Sequence, residues 1–235
     1  MTTTLITGAN KGLGRETARR LIEAGHTVYV GSRDPGKGRR AAEELGARHV
    51  VIDVTDEESV AAAARTIEAD GGLDVLINNA GIEGRIADNG IVAPADETVD
   101  TLRPLFETNV FGTLRVTHAF LPLLERSAAP VVVNVASGLA SLAVLSDPDS
   151  PAHFYPGIAY PASKTAVNML TVQYAKAFPK IRINSVEPGF TKTDLNGNSG
   201  VQTVEEGAEI IVRMAQVGPD GPTGGFFAAS GPLPW

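Results

Sequence analysis

Short runs of β-branched and apolar residues recur along the whole chain, and alanine-rich stretches of helical character fill the intervals between them. That alternation constrains the fold more than any other feature, because repeated strand-helix-strand units build a parallel sheet whose faces must both be covered. Strands are expected near residues 3–7, 27–31, 48–53, 73–78, 131–136, 181–187 and 225–228. Helices are expected near 12–24, 36–45, 56–69, 97–126, 159–178 and 203–216. Val131-Val132-Val133-Asn134-Val135 and Val75-Leu76-Ile77 are apolar runs without strict alternation, the pattern of strands buried on two sides. The expected architecture is α/β, a doubly wound parallel seven-stranded sheet with helices on both faces.

Composition narrows the function classes. With 235 residues, 43% hydrophobic and 20% charged, and with no break in composition, residues 1–235 read as a single domain. The net charge of -7 argues against nucleic acid or an anionic membrane as partner. Cysteine is absent, and His26, His49, His118 and His153 lack any metal-ligand spacing, so no metal is expected. The N-terminus has neither a basic region nor a long apolar stretch, which makes a cytoplasmic location the default expectation.

The first expected strand runs directly into Thr7-Gly8-Ala9-Asn10-Lys11-Gly12-Leu13-Gly14 and then into a helix carrying Ala18, Leu21 and Ile22. Glycines there let backbone N–H groups and a helix N-terminus approach a pyrophosphate closely. A glycine turn alone is weak evidence, but a strand before it and a helix after it favour a dinucleotide site. Farther on, Tyr160 and Lys164 are one helical turn apart. This spacing puts an ammonium beside a phenol, where it would favour the ionised form of a group whose free pKa is about 10. Together the two features suggest nucleotide-assisted proton and hydride chemistry.

The spacing Gly8-x-x-x-Gly12-x-Gly14, with Asn78-Asn79-Ala80-Gly81, Asn109, Ser137 and Tyr160-x-x-x-Lys164 in that order, resembles the short-chain dehydrogenase/reductase family along essentially the whole chain. The Gly-Ala-Asn-Lys-Gly loop, Gly31-Ser32-Arg33-Asp34 and Glu205-Glu206-Gly207-Ala208-Glu209 are similar to its carbonyl-reductase-like branch. The resemblance implies a Rossmann-type domain and a catalytic set of Asn109, Ser137, Tyr160 and Lys164. Tyr160 would be the general acid in carbonyl reduction and the base in alcohol oxidation. Lys164 would support it and hold the nicotinamide ribose, Ser137 would polarise the substrate oxygen, and Asn109 would hold a water in a proton relay. The cofactor shell so implied comprises Gly8, Asn10, Lys11, Gly12, Leu13 and Gly14 at the pyrophosphate, and Asp53 and Val54 around adenine. Asn79, Ala80 and Gly81 would lie by the adenosine ribose, and Pro188, Gly189, Thr191 and Thr193 at the nicotinamide.

An acid at the end of the second strand would accept from a ribose 2′-hydroxyl and repel a 2′-phosphate. Here Arg33 offers a charged planar fork, with Asn10 and Lys11 facing it, so NADP(H) is expected over NAD(H). Loops 81–95 and 138–157 follow strand ends and are candidates for substrate contact. The second is about twice the length usual in the family; its His153, Phe154 and Tyr155 either line the pocket or form an external loop. Residues 194–201 are short and polar and could form a small lid. The expected substrate is a small aldehyde, ketone or quinone. A 3-oxoacyl-thioester reductase, with Arg85 and Arg103 toward an acidic carrier, and a non-catalytic NADP(H)-sensing protein are the alternatives. The resemblance allows a homo-oligomer through the helices of Asn109 and Tyr160, or a monomer.

Overall fold

The computed structural model describes residues 1–87 and 90–235; Asp88 and Asn89, within the expected 81–95 loop, lie outside the described residues. Strands β1 (Thr3–Thr7), β2 (Thr27–Ser32), β3 (Arg48–Val51), β4 (Val75–Asn78), β5 (Val131–Val135), β6 (Arg182–Glu187), β7 (Phe226–Ala228) and β8 (Gly231–Pro232) form one sheet in the order β3-β2-β1-β4-β5-β6-β7-β8. All neighbours are parallel except β7 and β8. The chain reverses direction across the sheet between β1 and β4, which opens the crevice where α/β sheets bind ligands.

The helices are α1 (Gly12–Glu23), α2 (Pro35–Leu45), α3 (Glu57–Ala69), α4 (Val99–Leu105), α5 (Gly112–Arg126), α6 (Leu142–Ser146), α7 (Ala159–Ala177) and α8 (Val204–Ala215). Successive strand residues point to opposite faces, and each face has its own core. Leu5, Leu76, Val132 and Ile183 pack with Ile67 of α3 and with Val116 and Phe120 of α5. Ile6, Ile77, Val131 and Val133 pack with Leu21 of α1, Ala41 of α2 and Ile210 of α8. The sheet is thus doubly wound, as its continuous apolar strands require.

The short helix α6 lies within the expected loop 138–157, and two further elements differ from the expected pattern. An eighth strand, antiparallel to β7, closes one edge; it has only two residues and contains Pro232, which suits an edge and leaves no hydrophobic period to read. The expected helix 97–126 is instead α4, a π-helical turn at Phe106–Phe111, and α5. Pro104 brings no N–H to the helical ladder, and Gly112 lies against Val54, where a Cβ would come within 2.8 Å of a Val54 methyl. The wide turn carries Asn109 into the interior, and such turns are often found at functional sites. Among the described residues no helix is long and apolar enough to cross a membrane.

Candidate active site

Helices α2, α3 and α8 begin with side-chain caps from Asp34, Asp56 and Thr203. Helix α1 does not: Lys11 precedes it without a capping bond, so its first N–H groups face the crevice above β1 uncapped by a side chain. Gly8 and Gly12 have φ of 66° and 54°, the left-handed region where a side chain would be strained. A Cβ on Gly14 would stand 2.6 Å from Asn79 Nδ2 and 2.9 Å from Ala9 Cα. The turn is therefore a bare-backbone cradle at a helix N-terminus, the geometry a pyrophosphate needs.

The ends of β1 and β4 are tied together beside this cradle. Thr7 Oγ1 accepts from the backbone N–H groups of Asn79 and Ala80, both at 3.0 Å, while Asn79 Nδ2 donates to Thr7 O at 2.8 Å. Asn79 thus braces two strand ends, and Ala80 and Gly81 form a floor without bulk. A Cβ on Gly81 would lie 3.2 Å from Asn109 Oδ1 and 3.4 Å from Lys164 Nζ, which places the floor directly beside those two side chains.

Asn109, Ser137, Tyr160 and Lys164 converge at the carboxyl ends of β4 and β5. Asn109 Oδ1 accepts from Ile82 N and its Nδ2 donates to Ile82 O, both at 2.9 Å. Its Nδ2 also reaches Ser163 Oγ at 3.0 Å, and Ser163 Oγ donates to Tyr160 O at 2.8 Å. The asparagine therefore pins the loop after β4 to the first turn of α7. Its own carbonyl accepts from Thr113 Oγ1 at 2.8 Å. Ser137 follows β5, caps the short turn Gly138–Ala140 by accepting from Leu139 N, and hydrogen-bonds the Tyr160 phenol.

Electrostatics at the tyrosine differ from the expectation of a lowered pKa. Burial pushes the Tyr160 phenol well above its ordinary value, the carboxylates of Glu83 and Glu187 push in the same direction, and the Ser137 hydrogen bond and Arg85 oppose them without prevailing. Lys164 Nζ lies 5.8 Å from the tyrosine ring centre and donates to Val135 O at 2.8 Å. Burial lowers the pKa of Lys164 to about 8. The phenol consequently holds its proton near neutrality, as a proton donor must.

At the other end of the crevice, Arg33 is exposed just past β2. Asp34 accepts from Lys37 N at 3.0 Å as the cap of α2. Asp53 bends the chain after β3 by accepting from Thr55 N and Oγ1, and Val54 is buried against Gly112. Asn10 and Leu13 flank the glycine cradle, and Lys11 Nζ pairs with Asp194 at 2.9 Å across the crevice. Pro188, Gly189 and Thr191 follow β6. Thr191 is buried, donating to Pro188 O and Gly189 O, and Thr193 lies over Gly12, its methyl 3.7 Å from where a Cβ would be. Residues 194–201 are folded rather than open, since Asn196 is buried and donates to Thr191 O at 2.8 Å.

A cavity of about 220 Å³ adjoins Tyr160, walled by Ile82, Ile91, Pro104, Leu105 and Tyr155. Its polar end is a cluster that the sequence pattern did not reveal. Arg85 holds Glu83 through two bonds of 2.8 and 2.9 Å, and Tyr155 Oη donates to Glu83 at 3.2 Å. Of the three candidates in the long loop, Tyr155 reaches the pocket, whereas Phe154 is 76% exposed and packs edge-on against His153 outside.

The sequence model of the short chain dehydrogenases matches residues 2–203. A (+)-neomenthol dehydrogenase of Capsicum annuum is 33% identical, the match covering 95% of this chain and 94% of that protein. The structure of salutaridine reductase from Papaver somniferum superposes with a TM-score of 0.84 at 30% identity, covering 97% of this chain and all of that one. An NADPH-bound carbonyl reductase from chicken fatty liver gives 0.81 at 28% identity, covering 100% and 99%. The matches span nearly the whole chain, and the chain belongs to the short-chain dehydrogenase family of oxidoreductases.

Proposed function

We propose that the enzyme reduces the carbonyl of a small aldehyde, ketone or quinone to an alcohol with NADPH, Tyr160 giving the proton. The observation that carries this reading is the buried Tyr160 phenol, protonated near neutrality, hydrogen-bonded to Ser137 and adjoining a cavity of about 220 Å³. The glycine cradle of Gly8, Gly12 and Gly14, the floor of Ala80 and Gly81, and the Pro188–Thr193 segment fit a dinucleotide. Bound there, the cofactor supplies the hydride. Ser137 donates to the carbonyl oxygen and stabilises its developing negative charge. Tyr160 delivers its proton to that oxygen as general acid. Asn109 O, which accepts from Thr113 Oγ1, is the acceptor offered to a relay water behind Lys164.

Preference for NADPH is supported by the end of β2. Arg33 is exposed there, and Asp34, an acid that would oppose a 2′-phosphate, is committed to the cap of α2. Lys11 and Asp194 are each 64% exposed, so their pairing is worth little and yields readily to a phosphate. The names of the relatives, one dehydrogenase and two reductases, support the same chemistry. Arg85 is held by Glu83 at the cavity wall, which weakens the docking of an acidic carrier and so the 3-oxoacyl-thioester reading.

The test is oxidation of NADPH and NADH across aldehydes, α-diketones, quinones and 3-oxoacyl thioesters, by the native protein and by Tyr160→Phe. NADPH-dependent turnover should fall by about 10²- to 10⁴-fold in the variant, with NADPH affinity retained. Turnover that survives in Tyr160→Phe would sink the assignment of the proton donor. A native protein that binds NADPH tightly and reduces no carbonyl would favour the sensing role instead.

A further inference from the structure

Glu187 is an acid that the proton-transfer scheme leaves without a task. It ends β6, which lies beside β5 with Val186 opposite Val135, so it stands one strand across from Ser137 at the same edge of the sheet. Its Oε1 accepts from Gly189 N at 2.8 Å, and its carboxylate also accepts from the backbone N–H of Gly138. A Cβ on Gly138 would be 3.3 Å from Glu187 Cγ and 3.6 Å from Oε1. The carboxyl group is thus packed against the turn that carries Ser137 while bonded to the turn that leads to Thr191 and Thr193.

We propose that Glu187 is a positioning residue, its carboxylate clamping the Ser137–Gly138 turn to the Pro188–Gly189 turn so that the carbonyl-polarising hydroxyl and the nicotinamide shelf keep one register. This rests on the reductase reading above. A carboxylate suits the task because it offers acceptors to two N–H groups at once, whereas an amide has a single oxygen and presents N–H to the other donor. Burial raises the pKa of Glu187 and the two N–H bonds oppose that rise. The same anion acts on Tyr160, which is also faced by Glu83, Arg85 and Tyr155 from the cavity side, by Ser137, and by Lys164 from the next turn of α7. Both carboxylates hold the proton on the phenol, so loss of either lowers its pKa.

Glu187→Gln and Glu187→Ala test the clamp, with NADPH affinity read from nicotinamide fluorescence and ketone reduction read as kcat, KM and pH profile. In Glu187→Ala, kcat and NADPH affinity should each fall about tenfold, with ketone KM little changed, because a small misplacement of reacting groups is costly. Glu187→Gln should recover part of both losses, since one acceptor remains. In both variants the alkaline limb of kcat/KM, where protonated Tyr160 is lost, should move to lower pH. Native kcat, affinity and limb in Glu187→Ala would overturn the proposal, as would a variant that loses thermal stability while all of these stay native. If the native protein reduces no carbonyl, the reductase reading fails separately, and the clamp still stands or falls on the loss of NADPH affinity in Glu187→Ala.

Discussion

Lys164 shows at the scale of one residue how the site trades stability for chemistry. Its folded pKa of about 8 lies below the ordinary value of 10.5, so the unfolded chain binds more protons between those values. Stability from this group therefore rises with pH from about 8 to 10.5 and is lowest below that window, where the buried ammonium is charged. Lys164→Met should abolish turnover yet raise the melting temperature at pH 7, by a stability gain on the order of 1–3 kcal/mol. A melting temperature that falls at pH 7 would show that the bond to Val135 O outweighs the cost of burial. Arg33 is the second residue whose role is separable. Arg33→Ala should weaken NADPH at least tenfold more than NADH, and the gap should shrink at high salt because the contact is exposed. Equal losses for both cofactors, measured by titration, would remove the 2′-phosphate assignment.

At the scale of elements, the glycine turn and the π-helical turn show two ways in which local backbone serves the site. Gly14 meets backbone as well as side chain, since its added Cβ would lie 2.9 Å from Ala9 Cα, so the start of α1 would have to move away from β1. Gly14→Ala should cost about 1–3 kcal/mol in denaturant unfolding and lower NADPH affinity by tenfold or more. Affinity equal to the native protein would show that the cradle is not the pyrophosphate site. The glycine turn was legible because its spacing and flanking strand and helix are local. The break at Phe106–Phe111 was not, since Leu102, Leu105, Phe106, Val110 and Leu114 keep a helical spacing across it; the wide turn becomes favourable only when Asn109 can close two bonds on Ile82, which is 27 residues away.

For the whole molecule, a ligand that bridges the two halves of the sheet should stabilise all of it. At a hundredfold excess over its Kd, NADPH adds about 2.7 kcal/mol, a shift of roughly 5–10 °C for a chain of this size. A thermal scan with NADPH and with NADH checks this, and equal shifts at equal concentration would argue against the cofactor preference. The chain order of strands and helices and the doubly wound sheet were determined by the sequence itself, because hydrophobic period is a property of neighbours along the chain. The two-residue β8 was beyond it, as Gly231 and Pro232 gain strand character only from β7 and from the stacking of Trp235 on Phe226. So were the Glu83, Arg85 and Tyr155 cluster and the Glu187 contact with Gly138, whose partners come from separate loops. The direction of the Tyr160 shift was decided there too: the spacing to Lys164 predicts a lowered pKa, but burial and two carboxylates, from the loop after β4 and the end of β6, raise it, and only tertiary structure determines what surrounds a buried charge.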